Sequence, residues 1–164
     1  MSIGGRTIMS FINDNFMLKN ETAKLLYNKY AKEMPIVDYH CHISPREIYE
    51  DKRFDSITEL WLGGDHYKWR LIRSNGVSEE EITGSADPKT KFIRFAEALS
   101  KSIGNPMYHW THLELKRYFG YDGILNADTA EEVYELCNKK LREPEMSARG
   151  IINASNVKMI GTTD

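Results

Sequence analysis

Ile36-Val37-Asp38-Tyr39-His40-Cys41-His42-Ile43 lies a little over a fifth of the way along the chain. It is short, rich in β-branched and aromatic residues, and bounded by Pro35 and Pro45, which reads as a buried strand. Ser44-Pro45-Arg46-Glu47 follows at once. Serine at the cap, proline at the first helical position and glutamate at the third make a capping box. A strand that passes directly into a helix opens a βα unit. Far downstream, Val157-Lys158-Met159-Ile160-Gly161 reads as a second strand, running into Thr162-Thr163-Asp164. Two strands so far apart in the chain cannot be joined by a hairpin turn. They fit neighbouring parallel strands with an enlarged helical crossover between them. Two strands alone leave open sheet edges. Either the helical section is the core, or these strands are the front of a larger α/β protein, and the second explanation is favoured. A complete eight-stranded α/β barrel needs ~250 residues or more.

The same stretch carries the chemistry. His40 and His42 are spaced by two, so on a strand they share a face. Their ring nitrogens can then converge on one ion at ~2.1 Å. Asp38 lies on that face too and is a candidate to orient an imidazole. Tyr39 and Cys41 point the other way, so Cys41 is not expected to join the same metal. Strand ends that lead into helices are where α/β barrels place their active sites. A lone His-x-His remains a weak motif, and two histidines alternating by chance is the competing reading. Two imidazoles also leave a catalytic zinc short of its usual three protein ligands and water.

The remaining chain is dense in helix signals. A helix from near Asn20 to about Lys32 offers Leu25, Leu26 and Tyr30 as its apolar side, and Pro35 stops it. Asp65 caps a helix through Ser74, with Gly76 just past its end, and Ser78 with Glu81 repeats the capping-box spacing. Asp87-Pro88 starts a helix carrying Phe92, Phe95, Ala96, Leu99 and Ile103, closed by Gly104. Asn105-Pro106 starts another, carrying Met107, Trp110, Leu113 and Arg117, closed by Gly120. Asp128 with Glu131 caps a helix through about Leu141, and a last one covers Met146 to Ala154 beyond Pro144.

Two further groups stand out. In Gly63-Gly64-Asp65-His66-Tyr67-Lys68-Trp69-Arg70, Asp65 suits a cap. His66, Tyr67 and Arg70 either line a pocket for a polar anionic ligand or form a solvated helix face. Arginine suits a carboxylate because its fork is bidentate. In Tyr108-His109-Trp110-Thr111-His112, the two histidines lack acidic company. Packing of Tyr108 and Trp110 against other helices is therefore preferred over a metal site. Glu114 and Arg117 have the spacing of a surface ion pair. No Gly-x-Gly-x-x-Gly, Walker-type loop, Cys-x-x-Cys or Gly-x-Ser-x-Gly occurs, which removes the commonest nucleotide, redox and serine-hydrolase readings.

Composition agrees with a globular protein of 164 residues and formal net charge -2. No basic stripe suggests nucleic acid as a partner. No run approaches the ~20 apolar residues of a membrane span. Met1 to Met9 carries one positive charge and no apolar core, so it is not expected to be a secretory signal, and Met9 is a second candidate start. Cys41 and Cys137 do not make a disulfide framework, which favours a reducing cytoplasm. Cys137 reads as a small buried residue on a helix.

Four blocks in sequence order resemble the uronate isomerase (glucuronate isomerase) family of the amidohydrolase superfamily. They are Asp38-Tyr39-His40-Cys41-His42-Ile43-Ser44-Pro45, Gly64-Asp65-His66-Tyr67-Lys68-Trp69-Arg70, Gly104 through Leu115, and Gly161-Thr162-Thr163-Asp164. The resemblance implies the N-terminal portion of a distorted (β/α)8 TIM barrel. Residues 1–35 would be an N-terminal arm and helix, 36–43 the first barrel strand, 44–155 a large helical insertion and 156–164 the second barrel strand. It implies that His40 and His42 are metal ligands, with zinc the usual ion, and that His66 and Tyr67 reach the sugar acid. Arg70 is a weaker candidate for the substrate carboxylate. The family's further ligand, an aspartate on the last barrel strand, and the substrate-binding arginine after it are not within these residues. That aspartate is the favoured base by analogy, with Tyr67 and metal-bound hydroxide as alternatives. The implied reaction interconverts D-glucuronate with D-fructuronate and D-galacturonate with D-tagaturonate. The competing functions are a metal hydrolase of the same superfamily and a non-catalytic helical module. A small-molecule sugar acid is the implied partner, and a homo-oligomer is left open.

Overall fold

The computed structural model describes residues 10–163. The segment from Met1 to Met9, read above for a leader, lies outside them. Two strands, β1 (Ile36–Cys41) and β2 (Val157–Thr162), pair in parallel, with Ile36 opposite Val157, Asp38 opposite Ile160 and Cys41 opposite Thr162. Thr163 extends the ladder by donating its amide to the Cys41 carbonyl at 3.0 Å. Gly161 is required there, because a Cβ at that position would lie 2.7 Å from the Tyr39 carbonyl oxygen. The parallel pairing across a helical crossover is as expected. The expected burial is not: Val37 is 54% and Tyr39 85% exposed. Among the described residues each strand has a single neighbour, and the described helices pack on one another rather than over β1.

The core belongs to the helical section. After α1 (Glu21–Leu26) and a π-helical turn (Tyr27–Ala31) come α2 (Pro45–Tyr49), α3 (Ile57–Leu62), α4 (His66–Ser74), a 3-10 turn (Glu79–Glu81), α5 (Pro88–Ser100), α6 (Pro106–Phe119), α7 (Ala130–Leu141) and α8 (Ala148–Ala154). Ile57, Ile72, Phe92, Phe95, Leu99, Leu115, Val133 and Cys137 are wholly buried among them. Burial pushes the Cys137 thiol up to about 12, which makes it an inert core residue. The loop after α2 is stitched to the approach to α8. Arg53 donates to the carbonyls of Leu141, Glu143 and Pro144, capping the end of α7, and Asp51 accepts the Arg149 amide at 3.0 Å. The insertion therefore closes on itself where it leaves and rejoins the sheet.

The caps at Asp65, Asp87 and Asn105 form as the sequence predicts. Gly120 closes α6 in the left-handed region at φ 69°, where glycine carries no Cβ penalty. Other expectations need correction. Ser44 sits at the N-cap of α2 but makes no capping hydrogen bond. At α7 the loop is held by Asn126, whose side-chain oxygen accepts the amides of Asp128 and Thr129, instead of by Asp128. Leu25, Leu26 and Tyr30 are exposed, since no described element covers that face of α1. Ile103 is exposed because α5 ends at Ser100. Trp110 is 61% exposed, off the inward stripe of α6 formed by Tyr108, Thr111, His112, Leu115 and Phe119. Helix α3 is additional to those expected. Ser56 accepts the Glu59 amide and the Glu59 carboxylate accepts the Asp55 amide, a near capping box that the sequence does contain.

His112 is a fully satisfied core histidine. Its Nε2 accepts the Leu125 amide at 3.0 Å, so Nδ1 carries the proton and donates to the Tyr108 carbonyl at 2.7 Å. Burial lowers its pKa below the ordinary 6.5. The unfolded chain then takes up a proton that the folded ring refuses. This stabilising contribution is present above about pH 6.5 and is lost as pH falls from there toward the lowered folded value. Thermal melting across this range should show the loss, and a His112→Gln variant should flatten that part of the profile.

Candidate metal and substrate site

β1 delivers His40 to its C-terminal end and His42 just past it. The two imidazoles come together, with centroids 5.0 Å apart and planes at 88°. Asp38 does not orient either ring. Its carboxylate accepts the His40 backbone amide at 3.3 Å, the local bond that a short acidic side chain makes two residues on. The ring partner is Thr163, whose hydroxyl lies 3.0 Å from His42 Nδ1. Sequence reading did not single out Thr163. The available signal was its place one residue beyond the strand partner of Cys41. Two imidazoles suit zinc as donors. Among the described residues no group of three or more His, Cys, Asp or Glu could hold a metal ion, so His40 and His42 alone fall short of the three protein ligands that a catalytic zinc usually has.

The second group sits at the start of α4. Asp65 accepts the amides of Tyr67 and Lys68, and its other oxygen pairs with Lys68 Nζ at 2.8 Å. Burial alone would raise the Asp65 carboxyl. Lys68 and the two amides outweigh it and hold the group below the usual carboxylate range. Trp69 donates its indole N–H to the Leu62 carbonyl at 2.7 Å, tying α4 to the end of α3. On this fixed first turn the His66 and Tyr67 rings lie 4.4 Å apart, tilted by 31°, and the Arg70 guanidinium lies 5.6 Å from the Tyr67 ring. All three are solvent-exposed. Among the described residues, no hydrogen bond or ring contact joins them to His40 or His42.

The block around His109 and His112 stands apart from both groups. His109 packs on Phe11 and Phe16, and His112 is consumed by the backbone bonds described above. Glu114 makes no ion pair with Arg117. It turns toward Trp61, Lys68 and Asp65, where burial raises its carboxyl.

The glucuronate isomerase family model matches residues 8–164. The chain belongs to the glucuronate isomerase family. It is 60% identical over 154 residues to the uronate isomerase of Lachnospira eligens, covering 94% of this chain and 33% of that protein. The same identity and coverage are found with the uronate isomerase of Caldicellulosiruptor saccharolyticus. The crystal structure of uronate isomerase from Thermotoga maritima superposes with a TM-score of 0.89 at 39% identity, over 95% of this chain and 34% of that one. Glucuronate isomerase from Caulobacter crescentus gives 0.80 at 25% identity, over 86% and 31%. The chain thus spans about a third of the length of the curated relatives it matches. No described helix is long and apolar enough to cross a membrane.

Proposed function

We propose that this chain forms the front of a metal-dependent, cytoplasmic uronate isomerase, with β1 and β2 as the first two strands of a distorted (β/α)8 barrel and residues 44–155 as an insertion between them. The reaction interconverts D-glucuronate with D-fructuronate and D-galacturonate with D-tagaturonate. A proton leaves C2 of the open-chain aldose and one arrives at C1, through an enediolate. What carries the reading is the pairing of His40 with His42 at the end of β1, rings 5.0 Å apart, in a chain 60% identical to a uronate isomerase over nearly its whole length.

Zinc held by His40 and His42 would supply polarisation of the sugar's carbonyl and hydroxyl oxygens. The chain's own side chains take the other tasks. The Tyr67 phenol donates to, or accepts from, the oxygens between which the proton moves. His66 hydrogen-bonds the sugar hydroxyls from the same helical turn. Arg70 offers a cationic fork to the distal carboxylate. The exposure of all three suits residues that meet a ligand.

The test is a chimaera in which residues 8–164 replace the matching third of the Lachnospira eligens relative. It should convert D-glucuronate to its ketose without hydrolysing lactones or amides. A folded, zinc-loaded chimaera that leaves D-glucuronate untouched would overturn the reading. In the same protein Tyr67→Phe should lower kcat about 100-fold, the low end for a general acid-base group, with the melting temperature unmoved. Unchanged kinetics would remove Tyr67 from the site.

A further inference from the structure

The hydroxyl of Thr163 meets two neighbours at once. It lies 3.2 Å from the Cys41 carbonyl oxygen and 3.0 Å from Nδ1 of His42. A threonine hydroxyl has one proton to give and lone pairs to receive. A carbonyl oxygen can only accept, so the contact with Cys41 uses that proton. Toward His42 the hydroxyl is then left only its acceptor role, and the proton on that bond belongs to Nδ1. The same logic, with a backbone amide as the decisive partner, assigns His112.

We propose that Thr163 is a positioning residue that holds neutral His42 as the Nδ1–H tautomer, turning an unprotonated Nε2 outward as the ligand nitrogen. The role as a metal ligand rests on the function proposed above, whereas the tautomer does not. The hydrogen bond fixes two things that a metal ligand needs: which nitrogen carries the lone pair, and the rotation of the ring about its Cβ–Cγ bond. Thr163 is well placed for both tasks because its own backbone is pinned. Its amide donates to the same Cys41 carbonyl at 3.0 Å, so hydroxyl and amide straddle one acceptor across the parallel pair. Asp38, the residue that spacing suggested for this role, is taken up by the His40 amide. The device therefore couples the two strands. β2 sets the protonation pattern of a ligand carried on β1.

The experiment uses the chain labelled with nitrogen-15 in its histidines, without metal, at about pH 8, well above the ordinary imidazole pKa of about 6.5. Long-range proton–nitrogen spectra distinguish the two neutral tautomers, and His42→Ala identifies the His42 signals. Wild type and Thr163→Ser should show Nδ1 protonated on His42. Thr163→Val, which keeps the shape and removes the acceptor, should lose that preference. An Nε2–H form of His42 in the wild type, or a Thr163→Val spectrum like the wild type's, overturns the proposal. Zinc titration gives the second readout: Thr163→Val should bind about 10-fold more weakly than wild type, the low end for an outer partner of a ligating histidine, and Thr163→Ser should restore the wild-type affinity. Equal affinity in wild type and Thr163→Val, with His42→Ala weaker than both, overturns the positioning role. Equal zinc affinity in wild type and His42→Ala refutes the metal reading instead, and the spectra still decide the tautomer.

Discussion

Replacing Trp61 by alanine is expected to cost about 4 kcal/mol of folding stability, within the range for truncating a buried aromatic. Trp61 is 4% exposed and joins three helices. It stacks on Phe92 at 6.1 Å and meets Phe95 and Phe119 edge-on at 5.9 and 6.3 Å. The Lys68 ammonium lies 6.0 Å from its ring, so the same side chain also floors the pair that caps α4. Removing it leaves a cavity that interlocked rings cannot fill by small shifts. A domain of this size is stabilised by only about 5–15 kcal/mol, and each kcal/mol is worth roughly 2–4 °C. The melting temperature should therefore fall by about 10 °C, with a lower denaturant midpoint at unchanged slope. A fall of less than about 2 °C would show that the helical section is not held by this cluster. Trp110→Ala is the control. That indole is 61% exposed, and its loss should stay within about 0.5 kcal/mol.

The contrast between the two tryptophans shows where sequence reading succeeds and where it stops. Helix α6 announces itself through Asn105, Pro106 and Gly120, because caps act through bonds between residues close in sequence. Which face of it turns inward depends on what the neighbouring helices present, and apolar character alone points Trp110 inward where the fold turns it out. Burial of β1 failed for a related reason. Its β-branched residues mark a strand meant to be covered, but coverage comes from other elements, and the described ones do not supply it. At the candidate site the closeness of the His40 and His42 rings was legible, since a spacing of two on a strand fixes a shared face. Thr163 was not, because its partner lies more than a hundred residues away and only the strand register brings them together. Glu114 shows the same limit. Helical spacing offered it Arg117, whereas tertiary packing buries its carboxyl, and that burial raises its pKa.

His40→Ala and His42→Ala in the chimaera should each abolish nearly all turnover while leaving the fold intact, and the combination separates a metal site from a structural one. Both rings are exposed and touch each other rather than the hydrophobic core. Neither truncation should move stability by more than about 0.5 kcal/mol. A bound ion contributes several kcal/mol of charge stabilisation in such a reaction. At about 1.36 kcal/mol per tenfold, its loss lowers kcat/KM by about 1,000-fold or more. The decisive variant is the double one. If the rings hold a single ion, the first substitution already releases it, and the second has little left to remove, so the losses are far from additive. Independent contacts with the sugar would instead multiply, giving a double variant that is worse by the product of the two effects. Zinc content measured alongside turnover should fall in both single variants together. Near-normal turnover in either one, or multiplicative losses with zinc retained, would show that the pair on β1 does not grip a common ion.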